Sequence, residues 1–358
     1  MSTQYTIPET HLAVIIQPNK TVAVERVPVV HPGPGEVLIK VSTAGQNPAD
    51  WKVIQFDVSP PGKGVGSDLV GTIVELGAGV EGVALGERVG AVLVARLHES
   101  SAFREYVVVP SKPLIRIPDN ISDEVAAGVP SGAYSAAYGL HTLLGFPLNA
   151  PFNRSILVWG GSASVGWYTI QLAKLTGWKV IATASPHNHE LLKSIGADYV
   201  FDYRESDVLE KIVLAAGQGG VDYLLDGVSA DGSYHLASRA LRKDGPRKAS
   251  VLLPILDHEK LDPTVEYRRL AIFPMLGKEF PYEFMGLKVY HPYSESDLLF
   301  GLDISKRIEE WLRDGRITPL PHTVRPGGLN GVQAGLQHMM DGKVSATKLV
   351  YKIADTSA

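Results

Sequence analysis

The chain has 358 residues, 45% of them hydrophobic, no cysteine, and a formal net charge of −4 with a pI near 6.3. That length suits two cores, because single cores usually stop growing at about 250–300 residues. The charge balance offers no basic footprint for nucleic acid, and the lack of cysteine excludes a four-cysteine structural zinc site, a catalytic one built from two cysteines and a histidine, and any disulfide.

The N-terminal MSTQYTIPETHLA has no basic region followed by an apolar one, and no stretch approaches the ~20 apolar residues needed to span a bilayer. A cytoplasmic protein is expected. From Leu12 to about Tyr106, short β-branched runs (HLAVIIQ, EVLIKVSTAG, GTIVELGAGV, ERVGAVLVA, FREYVVVP) are broken by Gly and Pro, which predicts a small, irregular, barrel-like β domain with no helical period in it. After Pro118, Ser122 followed by Asp123 and Glu124 opens one or two helices running to Leu144. FPLNAPFNR then reads as a loop.

The stretch SILVWGGSASVGWYTIQLAKLTGWKVIATASP, residues 155–186, carries the strongest signal. It reads as a buried strand, a turn with Gly160, Gly161 and Gly166, an amphipathic helix and a second strand over Lys179 to Ser185. A Gly- and Ser-rich turn lets the backbone approach a pyrophosphate, and the helix after it presents free N–H groups and a positive dipole. Further βα alternation follows, with helices over His189 to Ile195, Val208 to Ala216 and Ser233 to Leu241, so a doubly wound fold with a parallel sheet is expected. Residues 257–295 show little periodicity. Two amphipathic helices ended by Gly315 and Gly342, then the strand KLVYKI, close the chain.

This order resembles the medium-chain dehydrogenase/reductase superfamily, which implies a GroES-like β-barrel domain (residues 1–130, completed by 296–358) and a Rossmann dinucleotide-binding domain (residues 131–295). QNPADWK, Gln46 to Lys52, is similar to the NPxD element of the zinc-free branch, and Gly66-Ser67-Asp68 stands where zinc alcohol dehydrogenases read Gly-His-Glu, so the histidine ligand is missing along with every cysteine. Within that branch GGSASVG, ASPHN (Ala184 to Asn188), FDYR (Phe201 to Arg204) and the Gly-Phe-Pro-Leu loop resemble the stand-alone, trans-acting enoyl reductases of fungal polyketide synthases.

An NAD-specific unit usually ends its second strand in a carboxylate for the ribose 2′-OH, and this chain has Ser185 there. With Ser185, Pro186, His187, Asn188 and Tyr203 at this point the cofactor expected is NADPH, although Ser185 and Pro186 are also an ordinary strand-ending turn. Ser162, Ala163, Ser164 and Val165 are the expected pyrophosphate-facing backbone. The resemblance adds Lys52 as a cofactor-contacting lysine and, with Ser135, a catalytic candidate, Lys52 as a proton donor; Asp50 beside it belongs to the same cofactor-binding set, orienting backbone or Lys52. It also places Ser135 beside the nicotinamide, and Leu253, Pro254, Thr347 and Lys348 as further cofactor contacts. Lys52 also reads as a solvated lysine or a surface ion pair with Asp50, Ser135 as plain packing, and Leu253 replaces an asparagine carried by a member of that subgroup.

An enoyl substrate chain is expected along the stretch from Ser131 to Leu144, at Ala136, Ala137, Tyr138, Gly139, Leu140 and His141, with Gly277 to Phe280 beside it. The resemblance implies an acyl carrier domain as partner and a monomer or dimer, with the nicotinamide cofactor in a cleft between the domains. RALRKDGPRK, Arg239 to Lys248, reads as a helix C-terminus collecting cations, or as a docking patch for an acidic carrier. His98, His141, His235, His322 and His338 are scattered without metal spacing, and no GxSxG motif occurs. Two other readings stand beside this one: an NADPH quinone oxidoreductase or free enone reductase, and a non-enzymatic NADPH-binding sensor or structural protein.

Overall fold

The computed structural model describes residues 5–94, 101–146, 154–217, 219–230, 232–255, 257–277, 279–284 and 287–357. His98, Leu256 at the end of the expected βα alternation (Ile156 to about Leu256) and most of the expected loop, residues 147–153, lie outside the described residues. The chain divides into two compact units, the first made of residues 1–131, 273–314 and 319–358, the second of 132–272 and 315–318. Residues 273–295, placed with the Rossmann part by sequence, thus cluster with the first unit.

In the first unit a hairpin of β1 (Thr10–Ile16) and β2 (Val22–Pro28) precedes β3 (Glu36–Gly45), β4 (Asp68–Leu76), β5 (Arg88–Val92), β6 (Tyr106–Pro110) and β7 (Ile115–Arg116). Val37, Ile39 and Val41 of β3 and Leu69 and Ile73 of β4 bury alternate side chains in one core with Phe103 and Tyr351, as a half-buried antiparallel strand requires. One helix interrupts these strands. α1 (Pro48–Gln55) follows Asn47 as N-cap and has Pro at its first position. The expectation of no helix before Tyr106 fails here, because eight residues with only Asp50 and Ile54 buried show too little of a 3.6-residue period.

α2 (Asp123–Ala126), capped by Ser122, and α3 (Pro130–Ala137) lead into the second unit. There β8 (Ser155–Trp159), α4 (Ser164–Leu175), β9 (Lys179–Thr183), α5 (His189–Ser194), β10 (Tyr199–Phe201), α6 (Val208–Ala216), β11 (Tyr223–Asp226), α7 (Ser233–Ser238), β12 (Lys248–Val251) and β13 (Glu266–Arg269) alternate. The six strands form one all-parallel sheet in the order β10-β9-β8-β11-β12-β13. β8 and β11 are buried throughout, so each reads as a continuous apolar run. The strand order reverses between β8 and β11, the switch point beyond whose carboxyl ends such sheets bind ligands.

β14 (Phe280–Phe284) and β15 (Leu287–His291) form a separate hairpin. α8 (Glu295–Arg313), β16 (His322–Val324), α9 (Val332–Met340) and β17 (Lys348–Lys352) complete the first unit, where β17 pairs antiparallel with β3 in a sheet ordered β16-β17-β3-β4-β5-β7. Among the described residues no helix is long and apolar enough to cross a membrane.

Candidate active site

At the switch point of the second unit, Gly160 adopts φ +81°, which glycine alone enters without strain. A Cβ on Gly166 would sit 2.3 Å from the Gly160 carbonyl oxygen, so α4 packs directly against the turn. Its first N–H groups have no acceptor within the helix, as at any helix start. The Ser164 hydroxyl, at the first position of α4, is buried and has no hydrogen-bond partner. An orphaned donor beside free N–H groups over a glycine cradle fits a pyrophosphate. Beside it β11 ends in Asp226, fully buried, which accepts from the Val228 and Ser229 N–H groups at 2.9 Å each and from the Ser233 hydroxyl. Burial raises its pKa, against those three bonds. The Leu252 N–H donates to Ser229 Oγ at 2.7 Å, which places Leu253 and Pro254 just past β12 at the same sheet edge.

The Ala184 N–H to Phe201 carbonyl bond, 3.0 Å, sets the ends of β9 and β10 side by side. Ser185 opens a 3-10 turn over Pro186–Asn188 in which His187 is exposed and Asn188 buried. Tyr203 is exposed at the neighbouring strand end, and the Arg204 guanidinium lies 5.3 Å from its ring centroid while pairing with Asp202 at 2.9 Å. The structure therefore brings Ser185, His187, Asn188 and Tyr203 to one corner, with a cation, Arg204, that the sequence reading quoted but did not assign. No carboxylate ends β9.

Ser135 is buried on α3, as are Ala136, Ala137, Tyr138 and Leu140 after it. The helix widens to a π-turn over Tyr138–Leu143, where the Leu144 N–H reaches the Gly139 carbonyl at 3.1 Å. Gly139 lies against Leu225 and Leu270, and His141 Nδ1 is 2.8 Å from the Phe146 carbonyl oxygen. Gly277 and Phe280 belong to the other unit, against Leu298 and Phe273 respectively.

In the first unit Lys52 is half-buried on α1, its ammonium 5.6 Å from the Trp51 ring centroid, and among the described residues it forms no ion pair. Burial lowers its pKa with no carboxylate to oppose it. The surface pair with Asp50 does not form, because the Asp50 carboxyl turns inward, to the Asn47 N–H at 2.7 Å and Ser67 Oγ at 3.0 Å. Lys348 joins the same interior. Its Nζ lies 2.7 Å from Asp68 Oδ2 and 2.6 Å from Asn47 Oδ1, with its side chain 3% exposed. Ser131 completes the cluster, its N–H on Asp68 Oδ1 at 2.9 Å and its hydroxyl donating to Oδ2 at 2.7 Å. Thr347, one residue earlier, is half-buried and shares a 3.0 Å bond with Thr323. Asn47 and Asp68 were given no role of their own in the sequence, although both stand in motifs read there, QNPADWK and Gly66-Ser67-Asp68, and Ser131 figured only as the start of the stretch expected along the substrate.

Among the described residues no group of three or more His, Cys, Asp or Glu could hold a metal ion. In the segment 239–248, Arg242 pairs with Asp222 and Asp244, Arg247 with Asp262 and Lys248 with Glu266.

The profile of the alcohol dehydrogenase GroES-like domain matches residues 33–119, and that of the zinc-binding dehydrogenase domain matches residues 164–247. The chain is 33% identical to the trans-enoyl reductase ACTTS2 of Alternaria alternata over 353 residues, covering 96% of this chain and 99% of that protein. The chain belongs to the medium-chain dehydrogenase/reductase superfamily. It falls in the zinc-free branch with the trans-enoyl reductases. The enoyl reductase component of lovastatin nonaketide synthase, lovC, of Aspergillus terreus is 30% identical over 89% of each chain. The crystal structure of an alcohol dehydrogenase superfamily protein from Novosphingobium aromaticivorans superposes with a TM-score of 0.78 over 96% of this chain and 99% of that one, at 18% identity.

Proposed function

We propose that this oxidoreductase is a trans-acting enoyl reductase that uses NADPH to reduce the α,β-double bond of an enoyl thioester held on the acyl carrier domain of a polyketide synthase. The observation that carries the reading is the near end-to-end identity with a trans-enoyl reductase, 33% over 96% of the chain. The open α4 N-terminus with its orphaned Ser164 hydroxyl, and Ser185 rather than a carboxylate just past the end of β9, support the cofactor.

When bound, the reduced nicotinamide supplies the hydride that the β-carbon takes, and is itself oxidised. The first turn of α4 and Ser164 would hold the pyrophosphate, and Ser185, His187, Asn188, Tyr203 and Arg204 the 2′-phosphate, a group that an acidic residue at the end of β9 would repel. Lys52, a cation with no carboxylate partner among the described residues, is available to the cofactor or to the negative charge that grows on the substrate carbonyl oxygen.

The test follows NADPH oxidation with one enoyl thioester on an acyl carrier protein, the same acyl group on pantetheine, a simple quinone, and buffer. Turnover is expected with both thioesters, faster on the carrier protein, and at least tenfold lower in kcat/KM for Lys52→Ala. Turnover confined to the quinone would replace the reading with a quinone oxidoreductase.

A further inference from the structure

One cluster in the first unit encloses two carboxyls, Asp50 at 1% and Asp68 at 0% exposure, and the ammonium of Lys348; the buried guanidinium of Arg104 lies apart, on Ser101 and beside His11. That ammonium is committed to Asp68, 2.7 Å away, and to Asn47. Asp50 stands outside the pair, its Oδ2 on the Asn47 N–H and its Oδ1 on Ser67 Oγ. Two carboxylates with one ammonium would leave a negative charge uncompensated inside the fold, a costly state that a proton on Asp50 removes.

The groups that face Asp50 agree with this. Burial is the largest influence and pushes its carboxyl up to about 7. The Asn47 N–H, Lys348 of β17 and the Ser67 hydroxyl oppose the rise, and Asp68 of β4 adds to it. Tyr351 of β17 is a further titratable neighbour; burial is what chiefly raises its pKa, with Arg325 opposing the rise and Asp50 adding to it. Lys52 lies two residues along the same helix.

With a proton on Oδ1, the 3.0 Å contact runs from the carboxyl to the Ser67 oxygen, and the hydrogen of the Ser67 hydroxyl is freed to point elsewhere. Asp50 is 1% exposed, whereas Ser67 is partly exposed, so the Ser67 hydroxyl links that carboxyl to the surface. The Leu93 N–H to Ser67 carbonyl bond, 2.7 Å, holds the Ser67 backbone in place.

We propose that Asp50, acting through the Ser67 hydroxyl, supplies the proton that completes reduction at the substrate's α-carbon. The inference rests on the enoyl reductase reading above. Once the β-carbon carries its hydride, the substrate is an enolate. The enolate's electron pair forms a C–H bond at the α-carbon as the Ser67 O–H bond breaks, and the thioester carbonyl re-forms. The Asp50 proton passes to the Ser67 oxygen, leaving a carboxylate that regains a proton from water through Ser67 before the next turnover.

The experiment compares wild type, Asp50→Asn, Ser67→Ala and Ser67→Thr, with an enoyl pantetheine thioester as probe. Asparagine keeps an oxygen for the Asn47 N–H. Infrared spectra of the whole protein across pH 6–8 are expected to show the carbonyl band of a protonated carboxyl that titrates near pH 7 and is missing in Asp50→Asn. In turnover, kcat is expected to fall about 10²-fold in Asp50→Asn and Ser67→Ala, the size of a lost general acid, with recovery in Ser67→Thr. Wild-type rate should decline above pH 7 as Asp50 loses its proton, and that limb should vanish in Asp50→Asn. In D2O the variants should place deuterium on both faces of the α-carbon. A purely structural role would move neither the pH limb nor the facial selectivity. No titrating band in wild type, or an unimpaired Asp50→Asn beside an active wild type, overturns the proposal alone; a wild type that reduces no enoyl thioester overturns it together with the reading it rests on.

Discussion

Lys348 reaches Asp68 across 280 positions of sequence, and neither group has water to fall back on. Removing one partner of such a pair leaves the other charged and buried, at a cost of about 3–5 kcal/mol, whereas replacing both partners costs much less. Lys348→Met is therefore expected to destabilise the protein by about that amount in denaturant titrations, and Asp68→Asn in the same chain to restore part of it. Spacing alone could not have revealed this cluster. Asp50 and Lys348 were singled out by resemblance as cofactor contacts, but that Asn47, Asp68 and Ser131 converge on them is a property of tertiary folding, with α1, β4, α3 and β17 each contributing one end. The glycine turn was legible because its chemistry is local, Gly160 to Gly166 being seven successive residues.

β1 is stitched to the residues just before and in β6 by alternating bonds, from Val14 N–H to the Phe103 carbonyl, Leu12 N–H to Glu105 and Glu105 N–H to the Leu12 carbonyl. His11 adds a bond that depends on pH. It is 1% exposed, and its Nδ1 accepts the Tyr106 N–H at 3.0 Å, which only a neutral imidazole can do. Burial, helped by the Arg104 charge, lowers its pKa to about 4. The unfolded chain binds a proton near pH 6.5 and the folded chain does not, so this stability is present above 6.5 and is lost as pH falls toward 4. The full shift corresponds to about 3 kcal/mol. Unfolding free energies of wild type and His11→Asn should therefore converge or cross as pH falls through that window. The raised Asp50 carboxyl acts with the opposite sign over much the same range, and comparing the two proteins at each pH cancels it. Elements were legible where burial is two-sided, as in β8 and β11. They were not where charge sits on an edge: β13 reads EYRR, half of it exposed, because the last strand of a sheet carries charge against further pairing. α1 escaped because it is short and its cap, Asn47, is spent on the polar cluster.

Both units are completed late in the chain. The first draws on three separate stretches, and the second is closed by residues 315–318, where the Thr318 carbonyl accepts the Trp167 indole N–H at 2.7 Å and the Gln171 amide at 3.0 Å. Ending the chain at Thr347 removes β17, the partner of β3, and the ammonium of the buried cluster. Such a truncation is expected to give no soluble folded protein, read by yield and circular dichroism, whereas ending it at Asp355 keeps all of β17 and should preserve the fold. The medium-chain architecture was readable at this scale because composition changes along the chain, from β-branched runs to βα alternation and back.

The order in which these pieces leave the ribosome gives Lys348 one more consequence. Asp50 and Asp68 are made within the first fifth of the chain, and their cation follows 280 residues after Asp68. Through most of synthesis the nascent β-barrel can close only by protonating Asp68 as well as Asp50 or by leaving them wet, a cost that disfavours closure until β17 brings its charge. A product cut short by premature termination lacks that cation and exposes its β3 edge to the proteases and chaperones that clear unfinished chains.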